Sequence, residues 1–235
     1  MLDLANISVA YGRREVVRNV TMTVAEGEVV ALIGSNGAGK STTLKAISGL
    51  LPLRSGSIHF NGQCISNRPP HEIVAQGLAH VPEGRKLFPD MTVREHLELG
   101  AIRKKGREGV QADQEAWVLG LFPLLKERWN QTAGTMSGGQ QQMLAIARGL
   151  MSNPVCVMFD EPSLGLAPVI VDQLMDVIQC LQAAGIATLL VEQRVDLALS
   201  IASRVYVIEN GHLSLSGEAD DLRNDPRIEA AYLGT

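Results

Sequence analysis

The chain has 235 residues, 46% hydrophobic but only 4% aromatic, and its 21 Lys and Arg against 25 Asp and Glu give a formal charge of −4. One unit of this length buries a full, aliphatic core, and the mild acidity leaves no electrostatic footprint for nucleic acid. No apolar run nears the ~18 residues that cross a bilayer and Met1-Leu2-Asp3 opens no signal peptide, so work at a membrane calls for spanning helices from another chain.

Residues 2–9 and 14–24 alternate apolar and polar about Tyr11-Gly12-Arg13, a hairpin signal. Tyr11 is either a strand-end aromatic or a plate for a nucleobase. Residues 29–33 read as a buried strand and residues 43–47 as a helix with Leu44 and Ile47 on one face. Between them lies Gly34-Ser35-Asn36-Gly37-Ala38-Gly39-Lys40-Ser41-Thr42. The pattern G-x-x-x-x-G-K-S, set between strand and helix, makes a phosphate cradle. Its glycines let the chain turn tightly, so successive N–H groups point at one anion and the positive helix end adds to the pull. Lys40 then reaches the terminal phosphates, and the Ser41 hydroxyl holds Mg²⁺.

Further on, residues 57–62 read as a strand and turn, and residues 69–74 as a short helix with proline in its first turn. Residues 77–82 form a short strand stopped by Pro82. Thr92 and Glu95 form a capping box, and a second helical pattern runs through Trp117, Leu121, Leu124 and Leu125 to Trp129. Residues 84 to 152 thus read as a helical lobe, because strands resume at 155–159, 186–191 and 204–209. A helix between the first two of these turns Ile170, Val171, Leu174, Val177, Ile178 and Leu181 inward. Such alternation indicates a parallel sheet covered on both faces. Residues 211–235 supply a last strand and short helices. Arg103-Lys104-Lys105-Gly106-Arg107, flanked by Glu98, Glu108 and Asp113, reads as a solvated loop. Cys64, Cys156 and Cys180 lack metal spacing, which suits a reducing compartment and buried packing roles.

Two further motifs carry chemistry. Residues 155–161 end a buried strand on Asp160 and Glu161, at the sheet edge where ligands collect. Asp160 is placed to order Mg²⁺, and Glu161 to accept a proton from an attacking water. Ser137-Gly138-Gly139-Gln140 opens a helix containing Met143, Leu144, Ile146, Ala147 and Leu150. Ser137 caps it, Gln140 completes the box, and two glycines bare the first N–H groups to make a second anion-seeking helix end.

Together these motifs resemble, over the whole chain, the ATP-binding subunit of an ABC transporter. The resemblance implies an α/β fold of P-loop NTPase type: a parallel-sheet RecA-like core, an antiparallel β subdomain and a helical signature lobe. It implies a single domain over 1–235, with about 1–83 and 153–235 forming core and β subdomain and about 84–152 the lobe. ATP and Mg²⁺ are the implied ligands. Ser137, Gly138, Gly139 and Gln140 of one subunit would close over ATP held by the phosphate loop of another in a head-to-tail dimer. Met136 stands where the family usually has leucine. Tyr11 matches the adenine-stacking aromatic, Asp160 the magnesium-ordering aspartate and Glu161 the catalytic glutamate. Residues 163–168 match the loop through which the two sites communicate.

Two positions depart from the family pattern. Glu83 stands where most members have glutamine; it keeps an oxygen for Mg²⁺ but loses the amide donor. Gln193 stands where most have histidine; its amide can donate to the γ-phosphate but cannot take a proton. With Val81-Pro82-Glu83-Gly84-Arg85 and Ala231-Tyr232-Leu233-Gly234, these features resemble the second ATPase subunit of bacterial branched-chain amino acid importers. That branch implies a second ATPase chain, a different one or another copy. It also implies two permeases, a periplasmic binding protein, no nucleic acid, and a site at the cytoplasmic face of the inner membrane. Urea, short amides or other small amino acids are alternative cargoes. A non-transport ABC ATPase and a weakly hydrolysing assembly subunit are alternative roles. Residues 83 to about 99 are expected to couple the γ-phosphate sensor to the lobe. Leu87, Phe88, Pro89 and Met91 serve there either as permease contacts or as lobe core.

Overall fold

A computed structural model describes residues 1–101, 108–223 and 225–228. The basic run at 103–107 and the Ala231-Tyr232-Leu233-Gly234 ending fall outside these residues.

The chain opens with the hairpin of β1 (Leu2–Tyr11) and β2 (Arg14–Val24), then enters β3 (Val29–Ile33) and α1 (Lys40–Ile47). It returns to the hairpin with β4 (Leu53–Phe60) and β5 (Gln63–Cys64), completing an antiparallel sheet of order β2-β1-β4-β5. Next come α2 (Pro70–Ala75) and β6 (Leu78–Val81), then the helices α3 (Val93–Gly100), α4 (Glu108–Leu121), α5 (Pro123–Glu127) and α6 (Gly138–Leu150). β7 (Cys156–Asp160), α7 (Pro168–Ala183), β8 (Ala187–Glu192), α8 (Val195–Ile201) and β9 (Arg204–Glu209) follow. β10 (His212–Glu218), α9 (Ala219–Leu222) and α10 (Pro226–Ile228) end the described chain.

The second sheet runs β10-β9-β3-β8-β7-β6, with every pair parallel except β10 on β9. Its register sets the site. Ile33 pairs with Glu192, Asp160 with Val191, and Val81 with Phe159. The phosphate loop, Glu161, Gln193 and Glu83 therefore all leave the sheet at its carboxyl edge, where a parallel sheet presents ligand-binding loops.

Strands β3, β7 and β8 are buried at every position, as their unbroken apolar runs require. Side-chain alternation sorts them into two cores. Ala31, Ile33, Val157, Phe159 and Leu190 pack with Val93, Leu97, Leu144 and Leu150 of the helical segment. Val30, Leu32, Met158, Leu189 and Val191 pack with Leu44, Ile47 and Phe60 on the opposite face.

Four details differ from the sequence reading. β4 begins at Leu53 and not at residue 57; its first half is largely exposed and carries no apolar alternation to mark it in the sequence. The second lobe helix divides at Phe122, with Pro123 starting α5. α8 follows Gln193 without having been read from the sequence. Cys156 is buried as expected, but Cys64 and Cys180 are exposed, which corrects their packing role. Cys64 lies on a two-residue strand at the sheet edge, and Cys180 stands off the Val177–Ile178–Leu181 stripe of α7.

Candidate functional site

The phosphate loop is shaped by contacts that only glycine permits. A Cβ on Gly34 would lie 2.3 Å from the Ile208 carbonyl oxygen, so glycine lets the loop lean directly on β9. Gly39, the N-cap of α1, has φ 115°, and an added Cβ would crowd Val16, Val17 and Ile208 at 3.2–3.3 Å. Ala38 N–H donates to the Ser35 carbonyl (3.2 Å), closing the turn. Asn36, Gly37, Gly39, Lys40, Ser41 and Thr42 line a cavity of about 350 Å³ together with Glu83, Glu161, Leu164 and Gln193. The expected phosphate and γ-side residues thus share one space.

Lys40 is almost wholly buried, and its ammonium is satisfied within the chain. Nζ donates to the carbonyls of Gly34 (2.8 Å) and Ser35 (3.1 Å) and pairs with Glu161 Oε1 at 3.1 Å. Ser41 Oγ donates to Asp160 Oδ1 (2.8 Å). Burial pushes the Asp160 carboxyl up, and nearby Glu161 and Glu83 add to this, while the Ser41 bond opposes it.

Glu161 sits just past β7 in the left-handed region, φ 48°, with its N–H on the Val191 carbonyl. Such a backbone is rare outside glycine and is held only where surroundings fix it. Gln193 Nε2 donates to Glu161 Oε2. The amide expected to face the γ-phosphate therefore engages the Glu161 carboxylate, an ionised acceptor.

A hydroxyl and carboxylates at one cavity are the donor set of a hard divalent cation that completes its shell with phosphate and water. Among the described residues no cluster of three or more His, Cys, Asp or Glu forms a closed metal cage. Ser41, Asp160 and Glu83 fit Mg²⁺ delivered with a nucleotide.

Tyr11 stands 47% exposed at the end of β1, on the same hairpin as Val16, which lines the cradle. At the other motif, Ser137 caps α6 with a full box: Gln140 N–H donates to Ser137 Oγ (3.4 Å), and Ser137 N–H to Gln140 Oε1 (2.9 Å). Its glycines also serve packing. A Cβ on Gly138 would meet the Arg85 guanidinium at 2.9 Å, and one on Gly139 would meet Ile170 at 2.9 Å. Residues 137–140 line none of the phosphate cavity, so the chain does not bring its two anion-seeking loops together.

Sequence reasoning passed over Glu192 and Arg85. Glu192, deep at the end of β8, accepts from the Ser163 N–H (3.2 Å) and so anchors the loop that follows Glu161; burial pushes its carboxyl up. Its signal was a charge ending an apolar strand. Arg85 Nη1 donates to Gln141 Oε1 (3.0 Å), joining the segment after Glu83 to the signature helix. Of the four apolar residues between Arg85 and α3, Leu87 packs on the core and Phe88 stands 53% exposed.

A strand-borne glycine loop and a buried Lys40 sharing one cavity with Glu161, with Asp160 behind it on Ser41, define a P-loop ATPase. The capped glycine pair opening α6, set in a helical segment between β6 and β7, narrows this to the ATP-binding cassette. The chain belongs to the ABC transporter family, which residues 17–164 match. It is 45% identical over 235 residues to the high-affinity branched-chain amino acid transport ATP-binding protein BraG of Pseudomonas aeruginosa, covering 100% of each chain. Its structure resembles the ADP conformation of MJ1267, an ATP-binding cassette of an ABC transporter (TM-score 0.88, 28% identity, 100% of this chain and 99% of that one). It also resembles the dimeric structure of MJ0796, a bacterial ABC transporter cassette (TM-score 0.82, 25% identity, 93% and 99% covered).

Proposed function

We propose that this chain is the ATP-hydrolysing subunit of an importer for branched-chain amino acids. In this reading it is peripheral to the cytoplasmic face of a bacterial inner membrane and works with a second ATPase chain, two permeases and a binding protein. The observation that carries the catalytic part is the shared cavity of Lys40, Ser41, Glu83, Glu161 and Gln193. The cargo rests on likeness to BraG, whose name states branched-chain amino acid transport. Among the described residues no helix is long and apolar enough to cross a membrane, which fits a subunit that borrows its spanning helices.

In this mechanism the loop N–H groups from Gly37 to Thr42 receive the phosphates and Lys40 turns from Glu161 to them. Ser41, Asp160 and Glu83 would hold Mg²⁺, which would supply positive charge to offset that of the phosphates. Freed from Lys40, Glu161 takes a proton from the attacking water while the Gln193 amide keeps its carboxylate aimed. Ser137, Gly138, Gly139 and Gln140 of the other subunit enclose the γ-phosphate. The head-to-tail arrangement is supported by the separation of the two loops within one chain and by the dimeric cassette it resembles.

The test is reconstitution of the chain with its permeases and second ATPase in liposomes carrying the binding protein. Leucine should stimulate ATP hydrolysis and uptake, and Lys40→Ala should abolish both. ATP turnover without uptake of any branched-chain amino acid would remove the cargo assignment. Co-purification with ribosomes instead of membrane proteins would remove the transport role.

A further inference from the structure

Glu83 is followed by three consecutive residues in the left-handed region: Gly84 (φ 74°), Arg85 (φ 62°) and Lys86 (φ 48°). Only the first is glycine, so two side-chain-bearing residues hold a backbone that side chains disfavour. The holder comes from α6. Arg148 Nη1 donates to the Lys86 carbonyl (2.8 Å) and Nη2 to the Arg85 carbonyl (3.2 Å). Among the described residues no carboxylate pairs with Arg148, so its charge is spent on these two carbonyls.

The platform under Arg148 is rigid. A Cβ on Gly100 would lie 2.2 Å from the Arg148 carbonyl, so α3 packs directly on this turn of α6. A Cβ on Gly149 would stand 3.0 Å from Val81 Cγ2, so the next residue of α6 touches the end of β6, two residues before Glu83. His96 fixes the segment further on: its Nε2 accepts the Phe88 N–H (3.0 Å), while its Nδ1 lies 2.8 Å from the Thr92 carbonyl.

We infer that Arg148 is a positioning residue for the ATPase reaction: it clamps the strained Gly84-Arg85-Lys86 turn and thereby sets the Glu83 carboxylate at the rim of the phosphate cavity. A planar guanidinium suits this, because its fork meets two adjacent carbonyls at once. Without the clamp the turn relaxes and carries Glu83 off its place beside Asp160 and Ser41. The phosphate loop stays intact, since the close contacts of its glycines lie on β2, β9 and the loop itself and its side-chain partners Glu161 and Asp160 lie outside the clamped turn. The inference rests on the ATPase reading for what Glu83 does, but not for the clamp.

The experiment compares the wild-type chain with Arg148→Met, which keeps the apolar stem, and with Arg148→Lys. Hydrogen exchange, without nucleotide, reads the clamp. Backbone amides at 86–88 should exchange about tenfold faster in Arg148→Met. Binding of a fluorescent ATP analogue, with and without Mg²⁺, reads the consequence. Affinity without Mg²⁺ should stay at the wild-type value, while the tightening by Mg²⁺ should fall about tenfold, as for loss of an outer-shell support. Arg148→Lys should recover part of it. Adding Lys86→Gly, which accepts φ 48° freely, should restore the Mg²⁺ response to Arg148→Met and keep the protein testable if the single variant folds poorly. Unchanged exchange at 86–88 overturns the clamp. Faster exchange with an unaltered Mg²⁺ response overturns the positioning role. Wild-type protein that binds no ATP defeats the ATPase reading instead, and the exchange result stands apart from it.

Discussion

Glu161→Gln tests the site most directly, because the exchange is nearly isosteric and leaves the left-handed backbone at 161 equally occupied. Glu161 and Lys40 meet at 3.1 Å with side chains 8% and 3% exposed. Removing one partner of a buried pair costs about 3–5 kcal/mol when the survivor is stranded. Lys40 keeps the Gly34 and Ser35 carbonyls, so the expected loss is about 2 kcal/mol. A triphosphate must draw Lys40 away from Glu161, so the variant escapes that cost on binding. The same 2 kcal/mol then returns as about 30-fold tighter ATP. Turnover falls about 10²–10⁴-fold with the base. Urea unfolding measured with and without ATP reads both effects: the variant is less stable alone and matches wild type at saturating ATP. A deficit of equal size in both conditions, with ATP affinity unchanged, refutes the competition between Glu161 and phosphate for Lys40.

Other perturbations separate packing from chemistry. Gly34→Ala forces a Cβ to 2.3 Å from a backbone oxygen and should cost about 3 kcal/mol or more, whereas Gly120→Ala, in α4 with open space around it, should stabilise by about 0.5–1 kcal/mol; chemical denaturation compares them. His80, on β6, has Nδ1 3.0 Å from Ser48 Oγ, and its buried Nε2 has no partner among the described residues. Burial, with Lys45 nearby, pulls its pKa down to about 4. A folded-state value below the unfolded one means stability is lost as pH falls. From pH 7 to 5 this amounts to about 2 kcal/mol, which His80→Gln should abolish in urea unfolding at the two pH values.

The fold was legible wherever periodicity and burial agree. The runs at β3, β7 and β8 are apolar at both faces because both faces are covered, and the phosphate loop announces itself by glycines that geometry demands. β4 was shortened because its first half is exposed, and α8 was missed because it is only seven residues long with a mixed pattern. The cradle's residues could be named from the motif, but their partners could not. Nothing in local sequence joins Lys40 to Glu161, Arg85 to Gln141 or Arg148 to Lys86, since parallel register and helix packing create those contacts. Gly138 and Gly139 were read as bare N–H groups, while their closeness to Arg85 and Ile170 is a tertiary fact.

Gln193 gives the site its chemical individuality. Its amide donates to Glu161 Oε2 while Lys40 holds Oε1, so the carboxylate proposed as the base is gripped at both oxygens. Once phosphates draw Lys40 away, as the proposed mechanism requires, the remaining grip would be a neutral donor that no pH change between 5 and 8 alters. A histidine there would titrate near 6.5 and, once cationic, would hold the carboxylate ionised but weaken it as a base. Gln193→His should therefore introduce an acid limb near pH 6–7 into the turnover profile, where the wild-type profile is flat. An identical profile in both proteins would mean that residue 193 does not touch Glu161 during the reaction.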